Sequence, residues 1–226
     1  IISSLQVAMG ANSPYLFGRR LWAETRIPLF TQMVDTRSVE LKYQGVRPRA
    51  YFGRNWITSI FDLFEENVQS FPALLPESSD EDAQAVLAAG GVPSLTDLKL
   101  HNGTVWRWNR PIYDTSQGVP HLRVENRVLP AGPTVVDMVA NACFYYGLLE
   151  AATSSGRPIW TKMSFQDAER NFRDAAKHGV DATQRWPGQG KILATDLIED
   201  HLLSVADDGL AALGLRREVR SHFLNV

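Results

Sequence analysis

The segment His121-Leu-Arg-Val-Glu-Asn-Arg127 sets an ionisable residue at every second position: His121, Arg123, Glu125 and Arg127. In a strand, alternate side chains share a face. All four therefore project together, while Leu122 and Val124 turn the other way, toward apolar packing. Desolvating such groups in a dry core is very costly, so their face is wet or lines a polar cavity. A solvated sheet surface cross-linked by Arg–Glu pairs is one reading, and an anion site is the other. The run before it adds a second arginine-bearing row, with Trp106, Trp108 and Arg110 on one side and Arg107 and Asn109 on the other. If 104–109 pairs with 121–129, guanidiniums crowd one carboxylate and repel each other unless an anion or a cation–phosphate complex joins them. The planar guanidinium fork matches phosphate and carboxylate oxygens, and a carboxylate among arginines suits a hard cation such as Mg2+.

The elements that must hold these residues read as a helix-rich α+β chain, with strands 104–109 and 121–129 as an adjacent antiparallel pair at its centre. Trp56, Ile60, Phe64, Val68 and Phe71 recur at helical spacing. Pro72–Pro76 reads as a linker, and the acidic stretch of about 77–92 as a solvated insert whose helix starts at Ser79. Asn102-Gly103 signals a tight turn. Thr134 and Asp137 form a capping pair that opens a helix to Ala152, apolar on nearly every side and so expected to be buried. Ser164 and Asp167 start an amphipathic helix that Gly179 stops. Gly188-Gln-Gly190-Lys191 reads as a link between helices, since it lacks phosphate-loop spacing. A helical tail covers about 191–226, with Ile192–Leu213 as its main helix. The start at Ile1-Ile2 reads like the middle of an apolar element, as if the chain were a fragment.

Three motifs in order resemble the glutamate–cysteine ligase family 2. These are Ala11-Asn-Ser-Pro-Tyr15 with Gly18 and Arg26; Arg110-Pro111 followed by Glu125-x-Arg127 and an apolar helix; and Asn171-Phe-Arg-Asp-Ala-Ala-Lys-His-Gly179. The resemblance implies that residues 1–226 are a single domain, the C-terminal part of a catalytic domain. It implies a glutamine-synthetase-like fold, a curved antiparallel sheet holding ATP and metal, with the N-terminal metal-binding strands missing. The implied reaction joins a carboxylate, glutamate by analogy, to an amine such as cysteine through an acyl phosphate. The implied cofactors are ATP and Mg2+. Glu125 matches the metal-binding glutamate. Arg127 and Arg110 match arginines that hold substrate carboxylate or the transferring phosphate, and Arg26 matches a phosphate contact. Arg123 and His121 share the strand face without a counterpart in the motif, and are added as substrate- or phosphate-binding candidates. Asn126 and Pro130 depart from the family pattern. With the metal strand absent, such a fragment is expected to be inactive alone.

Composition narrows the alternatives. A net charge of −2 gives no electrostatic reason to expect nucleic acid or an anionic membrane as partner. The expected partners are small molecules, an amino acid and ATP, and a homo-oligomer is compatible with the sequence. The single cysteine, Cys143, rules out an internal disulfide, reads as a small core hydrophobe, and fits a reducing cytoplasm. His101, His178, His201 and His222 stand alone and read as structural. Asp114 reads as a turn residue. Tyr51 or Trp108 could stack on an adenine. Two competing functions remain: a non-catalytic nucleotide- or dicarboxylate-binding module, and a helical interaction domain built on 134–152.

Overall fold

A computed structural model describes residues 1–75 and 78–225. Pro76, the end of the expected linker, and Glu77, the start of the expected acidic insert, lie outside the described residues. The elements run α1 (Ile2–Gly10), β1 (Tyr15–Leu16), β2 (Arg19–Arg20), α2 (Arg26–Met33), α3 (Val39–Tyr43), β3 (Ala50–Tyr51), α4 (Ile60–Ser70), α5 (Ala83–Ala88), α6 (Thr96–Gly103), β4 (Trp106–Arg107), β5 (Asn109–Asp114) and β6 (His121–Asn126). They continue with α7 (Val135–Ser154), α8 (Phe165–His178), β7 (Thr183–Trp186), β8 (Gly190–Leu193), α9 (Ala194–Leu197), α10 (Leu203–Ala212) and α11 (Arg217–Leu224). The chain is α+β, and its described strands form two-stranded sheets. It divides into two compact units: Ile1–Pro28 with Val128–Val226, and Leu29–Arg127.

The first unit is a helical core. Leu5 of α1, Phe144 and Leu148 of α7, Leu197, Leu202, Ala206 and Leu210 of the α9–α10 run, and Leu224 of α11 pack as one buried cluster. One turn of π-helix, Ile198–Leu202, joins α9 to α10. Gly147 and Gly209 set the α7–α10 crossing, because a Cβ on either would collide with backbone of the facing helix. The expected caps form at the N-termini of this unit's two longest helices. Thr134 and Asp137 make a reciprocal capping box on α7, and Ser164 Oγ accepts from Asp167 N at 3.1 Å on α8. Ala168, Asn171, Phe172, Ala175 and Ala176 form the buried face of α8, as its spacing predicts.

Three expectations fail in this unit. Only Phe144, Gly147 and Leu148 of α7 are buried, whereas Val135 is 69% and Tyr146 57% exposed. An all-round apolar composition states that a helix can be buried, and only the neighbouring elements decide which faces are covered. Ile192 and Leu193 begin no helix; they form β8, paired antiparallel with β7. Gly188 and Gly190, both at positive φ, turn this hairpin instead of linking helices.

The second unit holds the charged segment. The expected strand pair is present but displaced. β5, not 104–109, pairs with β6, in the register Arg110↔Glu125, Ile112↔Arg123 and Asp114↔His121. Trp106–Arg107 instead pairs in parallel with β3. Pro111 does not end the strand, for a reason in the ladder. Arg127 N donates to Trp108 O at 2.9 Å, so the bonded pairs fall on 108, 110 and 112, and Pro111 takes the position whose missing N–H points away from β6. Its outward carbonyl accepts from Asn102 Nδ2 at 2.6 Å, and Asn102 Oδ1 accepts from Asn67 Nδ2 at 2.8 Å. This buried amide chain ties α4 and α6 to β5. Asn102-Gly103 accordingly closes α6 and makes no hairpin turn. α5 starts after Asp82, its N-cap, rather than at Ser79, and Glu81 instead accepts from Ser94 N and Leu95 N. On α4 the buried positions are Leu63 and Asn67, while Val68 of the expected stripe is exposed.

Candidate active site

The β5–β6 hairpin gathers the ionisable row on one face. Arg110 Nε donates to Glu125 Oε2 at 2.8 Å, and Arg127 Nε lies 3.6 Å from the same oxygen. Glu125 and Arg127 thus share a side of their backbone, as alternation requires. The Arg127 guanidinium also lies over the Trp106 ring, 4.3 Å from its centroid. Burial first, then the Arg110 guanidinium, pushes the Arg127 pKa down, and Glu125 partly offsets this. Two cations around one carboxylate leave a net positive charge on a half-open face, with 41% of the Glu125 side chain exposed.

The row continues to Arg123 and His121. Arg123 Nη1 meets His121 Nε2 at 2.5 Å and Asp114 at 3.5 Å. Asp114 therefore belongs to the charged row as well as to the turn, where it accepts from Thr115 N. Its parity with Arg110 in the sequence was the available signal. Leu122 and Val124, expected against apolar neighbours, are 53% and 48% exposed. A two-stranded hairpin covers neither face by itself, and the packing on its second face falls on Pro111 of β5, which is fully buried.

Arg26 lies in the first unit and is described with its own neighbours. Its Nη2 donates to Val128 O at 2.5 Å, and its Nε to Glu24 Oε1 at 3.4 Å. Glu24 is completely buried and also accepts from Ser13 Oγ at 2.5 Å and from Asn12 N at 3.4 Å. The Ser-Pro motif and Arg26 thus meet at a buried carboxylate that sequence reasoning did not single out; the Glu24-x-Arg26 spacing was its trace. The third motif meets the first here. Glu24 N donates to Ala176 O and Ala23 N to Lys177 O, while Asn171 clasps the Arg185 backbone by accepting from N at 2.8 Å and donating to O at 2.9 Å. Gly179, at φ 62°, brings the end of α8 against Ala23 and Ala11.

Other candidates have structural surroundings. Tyr51 donates its hydroxyl to Glu66 and lies under the Arg47 and Arg107 guanidiniums, 5.4 and 5.1 Å from its ring centroid. Trp108 is edge-on to Phe30. His101 bonds the Phe71 carbonyl at 2.8 Å. Burial pushes the Cys143 thiol pKa up, as expected of a packed thiol.

Among the described residues, no three His, Cys, Asp or Glu side chains gather closely enough to hold a metal by themselves. Mg2+ carried on nucleotide phosphates usually takes one or two protein carboxylates. Glu125, a half-exposed carboxylate whose Oε2 meets both Arg110 and Arg127, fits that smaller part. No helix among the described residues is long and apolar enough to cross a membrane.

The chain thus combines a half-open arginine–glutamate row on a hairpin with the three motifs in order, inside an α+β fold. The family model of glutamate-cysteine ligase family 2 matches residues 3–219, and the chain belongs to that family. The family suggests ATP-dependent carboxylate–amine ligase activity. No curated protein and no solved structure matches the chain.

Proposed function

We propose that this chain carries part of the active site of an ATP-dependent ligase that joins glutamate to an amine, with the Arg110–Glu125–Arg127 row handling the carboxylate and the transferring phosphoryl group. The observation that supports it most is the charge balance of that row: two guanidiniums share one carboxylate oxygen, at 2.8 and 3.6 Å, on a half-open face. An anion arriving there relieves the repulsion between them, and fork-shaped donors suit its oxygens. Glu125 would supply one oxygen ligand to Mg2+, which when bound neutralises phosphate charge. Arg123 and His121 extend the row as further anion contacts, and Arg26 with Glu24 holds the Ser-Pro segment in the other unit. We also take both units as parts of one catalytic domain with a glutamine-synthetase-like sheet, working in the cytoplasm on ATP and amino acids.

The chemistry this asks of the residues is positioning and charge neutralisation. A carboxylate oxygen of the donor attacks the γ-phosphorus, and the bond to the β-phosphate oxygen breaks with its electron pair on ADP. The amine lone pair then attacks the acyl carbon. The C–N bond forms, the C–O bond breaks with its electrons on inorganic phosphate, and the extra proton on nitrogen passes to that phosphate or to water. Arg110 and Arg127 hold the oxygens on which charge gathers in both steps.

The test is ADP release by the whole protein with glutamate and an amine present. Release that needs both, and is lost in Glu125→Ala with the fold retained, is the expected result. Full turnover in Glu125→Ala removes Glu125 from the site. Nucleotide binding without turnover under any donor–amine pair favours a non-catalytic binding module.

A further inference from the structure

Beside Arg110, within the second unit, lies a cavity of about 280 Å3 to which the proposal above gives no role. Phe64, Leu98 and Ile112 line it with apolar surface, and Lys99, Arg110 and Asp114 bring charge. Two of those charges already have partners: Arg110 is paired with Glu125 at 2.8 Å and Asp114 with Arg123 at 3.5 Å. Lys99 brings a further cation to the wall, partly offset by Glu81, and Arg127 on the shared Glu125 keeps the surroundings net positive. The wall thus suits a ligand with an apolar body and one negative charge. The volume falls just below the ~300–1,000 Å3 of pockets that take drug-sized ligands, so the occupant is about the size of an amino acid. A nucleotide triphosphate is too large and would bring several negative charges next to Asp114.

We infer that this cavity is the acceptor subsite, and that the amine it takes bears one carboxylate and a branched or aromatic apolar side chain. The inference rests on the ligase reading of the Arg110–Glu125–Arg127 row. An amine attacks only as the neutral base, so the reacting form of such an acceptor carries a single negative charge, which Lys99 complements. Its nitrogen must come within about 3–3.5 Å of the acyl carbon, so the acceptor subsite must adjoin the row that holds the acyl phosphate. The cavity does so by sharing Arg110 with it. Phe64, Leu98 and Ile112 then select among amines by side-chain size, since one methylene in an apolar pocket changes specificity by about 10- to 200-fold.

Gly103 provides the test. It lines the cavity, its φ is not positive, and a Cβ built there meets nothing within 4 Å. Gly103→Leu therefore enters open space. In the whole protein supplied with ATP and glutamate, ADP release is compared with leucine, glycine and hydroxylamine as nucleophiles. Hydroxylamine captures an acyl phosphate without needing an apolar pocket. The wild type should prefer leucine to glycine by tenfold or more in kcat/KM. Gly103→Leu should cut the ratio of leucine-supported to hydroxylamine-supported release by at least tenfold. An unchanged ratio with both rates high overturns the inference and leaves the ligase reading standing. A parallel fall of both rates assigns the cavity to donor or nucleotide and likewise overturns it. No release with any nucleophile, hydroxylamine included, sinks the ligase reading and the inference together. Should Gly103→Leu fail to fold, Leu98→Ala probes the same wall from the other side. It should raise the phenylalanine-to-leucine ratio, and no change in that ratio counts against the inference.

Discussion

The second unit contains two clusters of the same composition, each with two arginines and one glutamate, in opposite surroundings. In one, Glu66 of α4 meets Arg47 at 3.3 Å and Arg107 at 2.6 Å, with the Tyr51 hydroxyl as a third donor. Arg107 is 4% exposed, Glu66 is 13% exposed, and the Tyr51 ring lies against both guanidiniums. In the other, Glu125 is 41% exposed and both contacts reach a single oxygen. The buried cluster saturates its carboxylate and is closed by rings, so it can only hold α4 to β3 and β4. The open cluster leaves its carboxylate half exposed to solvent. Identical residue types thus serve as a strut in one place and as a candidate anion site in the other. Burial and donor count make the difference.

The comparison is broken most sharply by removing the two acids in parallel. Glu66→Ala leaves the Arg107 guanidinium buried without a counter-charge, and should cost about 3–5 kcal/mol of folding stability. Glu125→Ala removes an exposed pair and should cost less than about 1 kcal/mol. Urea unfolding of both variants decides; equal losses would erase the distinction between strut and site. Next in size, Arg127→Lys keeps the charge but loses the fork and its seat over Trp106. It should lower glutamate- and amine-dependent ADP release by about 100-fold or more, as loss of one transition-state donor does, with little change in unfolding midpoint. Unchanged release would make Arg127 a surface residue.

The smallest effect concerns the helix that presents Glu66. Backbone N–H of Thr58, then the hydroxyls of Ser59 and Thr58, hold the Asp62 carboxyl pKa at about 2. A carboxyl depressed in the folded state stabilises it above the unfolded value of about 3.9, and that stabilisation is lost as pH falls from there through about 2. Asp62→Asn should therefore flatten the decline of Tm between about pH 4 and 2. Identical slopes for parent and variant would show that this cap does not hold α4.

Local signals suffice where one short range of sequence settles the outcome. The Thr134–Asp137 capping box, the Ser164 cap, the buried face of α8 and the single-sided row of β6 all formed as their spacing requires. Strand placement is less legible. Arg110-Pro111 looks like a stop, yet Pro111 lies mid-strand because the ladder register turns its missing N–H outward. Glu66 looks like an ordinary acid in sequence, and Glu24 shows only its spacing to Arg26, since little that is local tells a buried, three-donor carboxylate from a solvated one.

Side-chain alternation by itself determined that His121, Arg123, Glu125 and Arg127 would stand together, because the two-residue period of a strand is a property of the backbone. Ordered motifs by themselves carried the family. Only the tertiary structure decided which strand lies beside that row, which of two matching clusters is buried, and that α7 keeps an open apolar side. Those outcomes depend on distant segments competing for the same surfaces, and no window of sequence contains both competitors.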